Sequence, residues 1–145
     1  MKKKLSIFGS TGSIGDTTLK LIKKNNKKYN FYILTGYKNY KKIKQLIKRY
    51  NPKVFVIFDY KTYLKVKKDN LNKNTKILNS KDYQNFNFEK SDVSILAIPG
   101  IAGLEPTLKA IKISRKVLIA NKESVICGWV LINNLIKKYK VKIIP

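Results

Sequence analysis

Leu5-Ser6-Ile7-Phe8-Gly9-Ser10-Thr11-Gly12-Ser13-Ile14-Gly15 is the stretch on which the fold turns. Four residues of strand character run into three glycines spaced GxxGxxG, and an amphipathic segment over 14–24 follows, with Leu19 and Ile22 at helical spacing. Glycine lets a chain turn sharply and lets another molecule approach its backbone. The helix that follows points free N–H groups and the positive end of its dipole at the turn, a natural seat for a diphosphate. Thr11 and Ser13 can add hydroxyl donors to this seat. A tight strand-to-helix turn without a ligand is the alternative reading of the same residues.

Outward from this turn, apolar runs alternate with amphipathic ones. Strands are expected over 31–34, 54–58, 76–78, 93–98, 117–120 and 141–144, and helices over 41–50, 60–68, 104–114 and 125–138. Asn51-Pro52 ends the second helix, because the residue before proline avoids helical geometry. Pro106 falls in the first turn of its helix, where no donor is lost. The span 60–88 is the least regular, with a polar loop over 70–74 and an irregular or weakly helical remainder after 78. Alternation of this kind gives an α/β fold, Rossmann-like and doubly wound, with a mainly parallel sheet and helices on both faces. Residues 1–145 read as one domain, with no repeat and no linker. In such sheets ligands bind beyond the carboxyl ends of the strands, so residues just after each strand are the ones to inspect.

After the second strand stand Gly36, Tyr37, Lys38 and Asn39. An NAD site places an acidic residue here, about 20 residues past the glycines, to hold the ribose hydroxyls. A lysine and an asparagine stand there instead, which suits a 2′-phosphate and NADPH; Lys38 is also one more lysine in a lysine-rich chain. Later strands are followed by Pro99-Gly100-Ile101-Ala102-Gly103 and by Asn121-Lys122-Glu123-Ser124. A carboxamide, an ammonium and a carboxylate in succession can hold a nicotinamide ribose and an anionic substrate together. The same residues also read as a polar helix start, with Glu123 favourable at the dipole and Ser124 capping.

Composition narrows the rest. The 32 Lys and Arg against 8 Asp and Glu give a net charge of +24. Nucleic acid is the first partner such a charge suggests. The lysines are spread along the whole chain beside Asn, Ile, Tyr and Phe, all with A/T-rich codons, so compositional drift explains them better than a binding stripe. The chain has no His and one Cys, Cys127, which excludes an internal disulfide and is expected as a small core residue on its helix. Lys2-Lys3-Lys4 resembles the start of a signal peptide, but Gly9 interrupts the apolar run after four residues, so a cytoplasmic protein is expected.

Three stretches, Gly9 to Gly15, Gly103-Leu-Glu-Pro-Thr-Leu108 and Ala120-Asn-Lys-Glu-Ser124, resemble in order and spacing the hallmark segments of the 1-deoxy-D-xylulose 5-phosphate reductoisomerase family. The resemblance runs from the first strand to Pro145 and is weakest over 60–88. It implies NADPH contacts at Thr11, Gly12, Ser13, Ile14, Gly36, Tyr37, Lys38, Asn39, Asn121 and Glu123, and a contact from Lys122 to the sugar-phosphate substrate. The ring of Tyr37, where relatives often carry a small residue, either stacks on adenine or shifts the register. The reaction implied is metal-assisted rearrangement of 1-deoxy-D-xylulose 5-phosphate and NADPH-dependent reduction to 2-C-methyl-D-erythritol 4-phosphate, in isoprenoid precursor synthesis. The family's divalent metal (Mg, Mn or Co) is held by acidic residues that begin just after the position of Pro145, so no metal ligand or catalytic residue is expected here. Binding of NADPH without turnover follows for the chain alone, and a homodimer for the full-length enzyme. A short-chain dehydrogenase or epimerase would add a Tyr-x-x-x-Lys motif late in the domain; Tyr37 to Lys41 and Tyr63 to Lys67 match it too early.

Overall fold

Seven strands, every neighbouring pair parallel, form one sheet in the order β4-β3-β2-β1-β5-β6-β7. They are β1 (Lys3–Phe8), β2 (Tyr29–Gly36), β3 (Val54–Ile57), β4 (Lys76–Asn79), β5 (Ser91–Leu96), β6 (Ser114–Ile119) and β7 (Lys142–Ile144). The computed structural model describes residues 1–120 and 122–144, with only the backbone of Asn26 and Ser124. The helices are α1 (Ser13–Lys23), α2 (Tyr40–Tyr50), α3 (Tyr60–Asp69), α4 (Ser80–Asn85), α5 (Leu104–Lys112) and α6 (Lys122–Tyr139).

Both faces of the sheet are covered, as a parallel sheet requires. Leu19 of α1, Ile43, Leu46 and Ile47 of α2, and Tyr63 and Val66 of α3 pack on one face against Leu5, Ile7, Leu34, Phe55 and Ile57. Tyr83 of α4, Ala110 and Ile111 of α5, and Ile132 of α6 pack on the other against Phe8, Ile33, Val56, Leu96 and Val117. Each fully buried Leu or Ile contributes about 1.5–3 kcal/mol. The chain leaves β1 toward β2, β3 and β4, then returns to lay β5 against the free side of β1. Strand order reverses there, so the crevice for a ligand opens beyond the carboxyl end of β1.

The expected α/β sheet with helices on both faces is present, and all its strand pairs are parallel. Several other expectations are corrected. The span after residue 79 forms a true helix, α4, whose Tyr83 is fully buried among the rings of Phe8, Phe58 and Phe88. The fifth helix stops at Lys112, and Ser114 instead opens β6, where its buried hydroxyl donates to Ala110 O at 2.6 Å and pairs with Ser94 at 2.7 Å. Cys127 is exposed rather than in the core. The face of α6 that packs inward carries Gly128, whose missing Cβ would stand 2.3 Å from Leu104 Cδ1, and the buried Ile132.

Candidate functional site

Gly9 leaves β1 at φ +90°, and a Cβ there would lie 2.6 Å from the Ala97 carbonyl oxygen, so the turn admits only glycine. Its N–H donates to Thr35 Oγ1 at 2.7 Å, while the Ser10 N–H and hydroxyl both donate to the Thr35 carbonyl, at 2.9 and 2.6 Å. Thr35, buried at the end of β2, thereby holds the first loop against the second. Gly12 N–H closes the turn onto Gly9 O at 3.3 Å, and the first bond of α1 runs from Asp16 N–H to Gly12 O at 2.9 Å. The N–H groups of Ser13, Ile14 and Gly15 come before that bond, and no side chain caps them.

The three glycines are there for different reasons. A Cβ on Gly15 would meet Gly9 O at 2.4 Å and Ser10 Cα at 2.6 Å, so that glycine lets the helix back onto the loop. Gly12 has an ordinary extended backbone, φ −79° and ψ 174°, and a Cβ there would meet only Gly9 O, at 3.6 Å. The fold does not need a glycine at this position. Thr11 is half-buried, its methyl packed toward Gly36, and Ser13 and Ile14 are exposed.

The second loop sits beside the first. Gly36 is buried, and a Cβ there would lie 2.9 Å from Thr11 Cγ2 and 3.0 Å from Ile43 Cγ1. Pairing of β2 with β3 runs unbroken to Gly36 and Ile57, and Tyr37 is the first residue after it. Its ring is 55% exposed, with Lys38 Nζ 5.3 Å from the centroid. Asn39 caps α2, its side-chain oxygen accepting from Lys42 N–H at 3.2 Å.

Two carboxylates that the motifs do not reveal organise this edge. Asp16 bridges Lys20 of its own helix at 2.8 Å and Lys42 of α2 at 2.5 Å, tying the starts of the two helices together. Hydrogen bonds from these two ammonium groups hold its carboxyl at about 2, against an ordinary 3.8. Asp59 caps α3 through the Thr62 N–H and hydroxyl, which hold its carboxyl below the usual range, with the Lys38 and Lys61 charges adding to the effect. Lys38 thus lies in reach of an acidic neighbour. A buried threonine closing a strand and an acidic residue in a helix's first turn are the only sequence signals of Thr35 and Asp16.

A groove of about 490 Å³ runs along the same edge, walled by Tyr37, Phe58, Ile98, Pro99, Ala102 and Pro106. Gly100 turns at φ +74° with open space where a side chain would stand, and Gly103 is packed against Ile98. Lys122 and Glu123 are exposed on the first turn of α6, while Asn121 lies outside the described residues. Ser124 is the third residue of α6, so it lies inside the helix and does not precede it as a cap would. No group of three or more His, Cys, Asp or Glu among the described residues is arranged to hold a metal ion. None of the described helices is long and apolar enough to cross a membrane.

The family model for 1-deoxy-D-xylulose 5-phosphate reductoisomerase matches residues 5–128. A reductoisomerase of Pelagibacter ubique is 45% identical over 146 residues, covering 99% of this chain and 38% of its own length. That of Caldanaerobacter subterraneus subsp. tengcongensis is 34% identical, with 99% and 37% covered. The solved reductoisomerase from Zymomonas mobilis in complex with NADPH superposes with a TM-score of 0.90 at 31% identity, over 100% of this chain and 38% of that one. A reductoisomerase structure in complex with NADPH, fosmidomycin and magnesium gives 0.89 at 31% identity, over 99% and 36%. The chain spans about 38% of the length of the first of these curated relatives. With the family model matched across most of its length, the chain belongs to the 1-deoxy-D-xylulose 5-phosphate reductoisomerase family.

Proposed function

We propose that residues 1–145 are the NADPH-binding domain of a reductoisomerase that converts 1-deoxy-D-xylulose 5-phosphate to 2-C-methyl-D-erythritol 4-phosphate. The observation that carries this reading is the glycine at position 12, which no contact in the fold demands and which leaves the backbone N–H groups of α1 open to a diphosphate. Thr11 and Ser13 add hydroxyl donors, and Ile14 an N–H. Beside them, Gly36 lets the two loops close together, and Lys38 and Asn39 meet the 2′-phosphate. Tyr37 lines the groove that takes an adenine-sized ring. Across the edge, Asn121 and Glu123 hold the nicotinamide ribose, and Lys122 meets the anionic sugar phosphate.

When bound, NADPH supplies the reducing equivalents for the aldehyde formed by the rearrangement. The reading has the chain alone binding NADPH without turnover. A homodimer, a cytoplasmic location and no sequence-specific nucleic-acid partner complete the reading. Calorimetric titration of NADPH and NADH into the folded chain tests it. NADPH is expected to bind at least about tenfold more tightly, the worth of roughly one charge-assisted hydrogen bond. No binding at millimolar concentration, or equal affinity for NADH, overturns the proposal.

A further inference from the structure

At the opposite edge of the sheet, where β1 and β2 begin, lies a cleft of about 560 Å³ that the cofactor reading does not use. Among the described residues six cations line it, Lys2, Lys4, Lys23, Lys27, Arg49 and Lys53, and no carboxylate does. Of these six, only Lys4 appears in an ion pair among the described residues, with Glu89, whose carboxyl is held below its usual range first by Lys4 and also by Lys53. Elsewhere the scarce carboxylates are placed against lysines: Asp16 against Lys20 and Lys42, Asp69 against Lys44. Drift toward lysine accounts for many cations, but not for their convergence on one concavity. The ends of α1 and α2 point their negative dipole ends this way, roughly half a charge each, which offsets about one of the six. An excess of several positive charges remains in one concave site.

The floor is aromatic. Tyr29, Phe31 and Tyr50 are half-buried there, Phe31 edge-on to Tyr50 with centroids 5.0 Å apart, and the Arg49 guanidinium lies 5.8 Å from the Tyr50 ring. We infer that this cleft is a second anion site, which takes an oligophosphate chain, free or carried by a nucleotide. Convergent ammonium groups around a concave surface focus the field on a compact polyanion rather than on single ions. The site stands a strand's length away, about 20 Å, from the glycine loop, so it is separate from the proposed cofactor seat and does not depend on it.

Tripolyphosphate titrated into the chain at about 150 mM salt, where screening leaves only near charges in play, is read by amide shifts in NMR. Shifts at Lys27, Tyr29, Phe31 and Lys53 are expected, saturating together. The variant Lys23→Gln/Lys27→Gln/Lys53→Gln should weaken binding about tenfold or more, whereas Lys68→Gln/Lys112→Gln/Lys137→Gln, which removes the same charge from other exposed positions, should change it less than about twofold. Magnesium-free ATP is the second arm. Binding clearly tighter than tripolyphosphate assigns the site to a nucleotide with its ring on the aromatic floor, and equal binding assigns it to the phosphate chain itself. Equal weakening by both triple variants, or shifts confined to residues 11–14, overturns the inference and leaves the NADPH reading standing.

Discussion

Gly12→Ala and Gly15→Ala should fail in opposite ways, although both add one methyl group to the same loop. At Gly12 the new carbon would sit 3.6 Å from Gly9 O, an ordinary contact, on a backbone that any residue adopts. Replacing glycine at such a position stabilises by about 0.4–1 kcal/mol, because the unfolded chain loses freedom. The melting temperature should therefore hold or rise by about 1–4 °C for a chain of this size. The methyl would, however, occupy the space through which the diphosphate reaches the N–H groups of Ser13 and Ile14. Loss of one or two charge-assisted bonds at about 1.5–3 kcal/mol each weakens NADPH by roughly 10-fold to 100-fold or more. At Gly15 the methyl would meet backbone atoms at 2.4 and 2.6 Å, and neither can yield like a flexible side chain. Overpacking of this kind costs about 1–3 kcal/mol, a fall of roughly 2–12 °C. Differential scanning fluorimetry beside a titration of NADPH fluorescence separates the two effects. If Gly12→Ala melts like the parent and also binds NADPH like the parent, the diphosphate does not lie on this loop.

Three further outcomes follow from the same geometry. Lys38→Ala should lower NADPH affinity about 5-fold to 20-fold, the loss of one exposed charge-assisted contact, while leaving NADH unchanged in competition titrations; an equal loss for both would assign Lys38 to the loop's fold. Thr35→Val should leave the half-buried Gly9 N–H without its acceptor and cost about 1 kcal/mol, read as a lower urea midpoint at constant slope. Asp16 has its carboxyl depressed from 3.8 to about 2 by Lys20 and Lys42. The stability it contributes is therefore complete above pH 3.8 and lost as pH falls through about 2. An exposed ion-pair network of this size is worth about 1 kcal/mol, so acid unfolding of Asp16→Asn should lose that increment of pH dependence in this window.

The glycine turn, the alternation of strands and helices and the placing of candidates at strand ends could all be read in the sequence, because glycine requirements and apolar periodicity are local. What escaped it was tertiary. α4 has six residues, too few turns to display a period, and its identity depends on Tyr83 filling a pocket among three distant rings. The extents of β5 and β6 were obscured because Ser91, Ser94 and Ser114 are buried, with Ser91 bonded across strands to Ser6 and Ser94 to Ser114. No local rule distinguishes such a serine from a solvated one. Cys127 lies outward, which the sequence hides because α6 carries apolar residues on several sides; Ile126, Val130 and Leu131 share its exposure, and the buried Ile132 with the approach of Leu104 to Gly128 identifies the packed face. At the site, Lys38 and Tyr37 could be read from loop position. Their neighbour Asp59 and the Asp16–Lys42 bridge required the fold, since each joins elements far apart in the chain.

Backbone amide shifts on adding NADPH test the central claim most directly, because they report which N–H groups meet the ligand. The largest changes should fall on Thr11, Gly12, Ser13 and Ile14, with a second group at Gly36 to Asn39 that NADH produces only weakly. Changes confined to the basic cleft around Lys27 and Lys53, with the first turn of α1 silent, would contradict it.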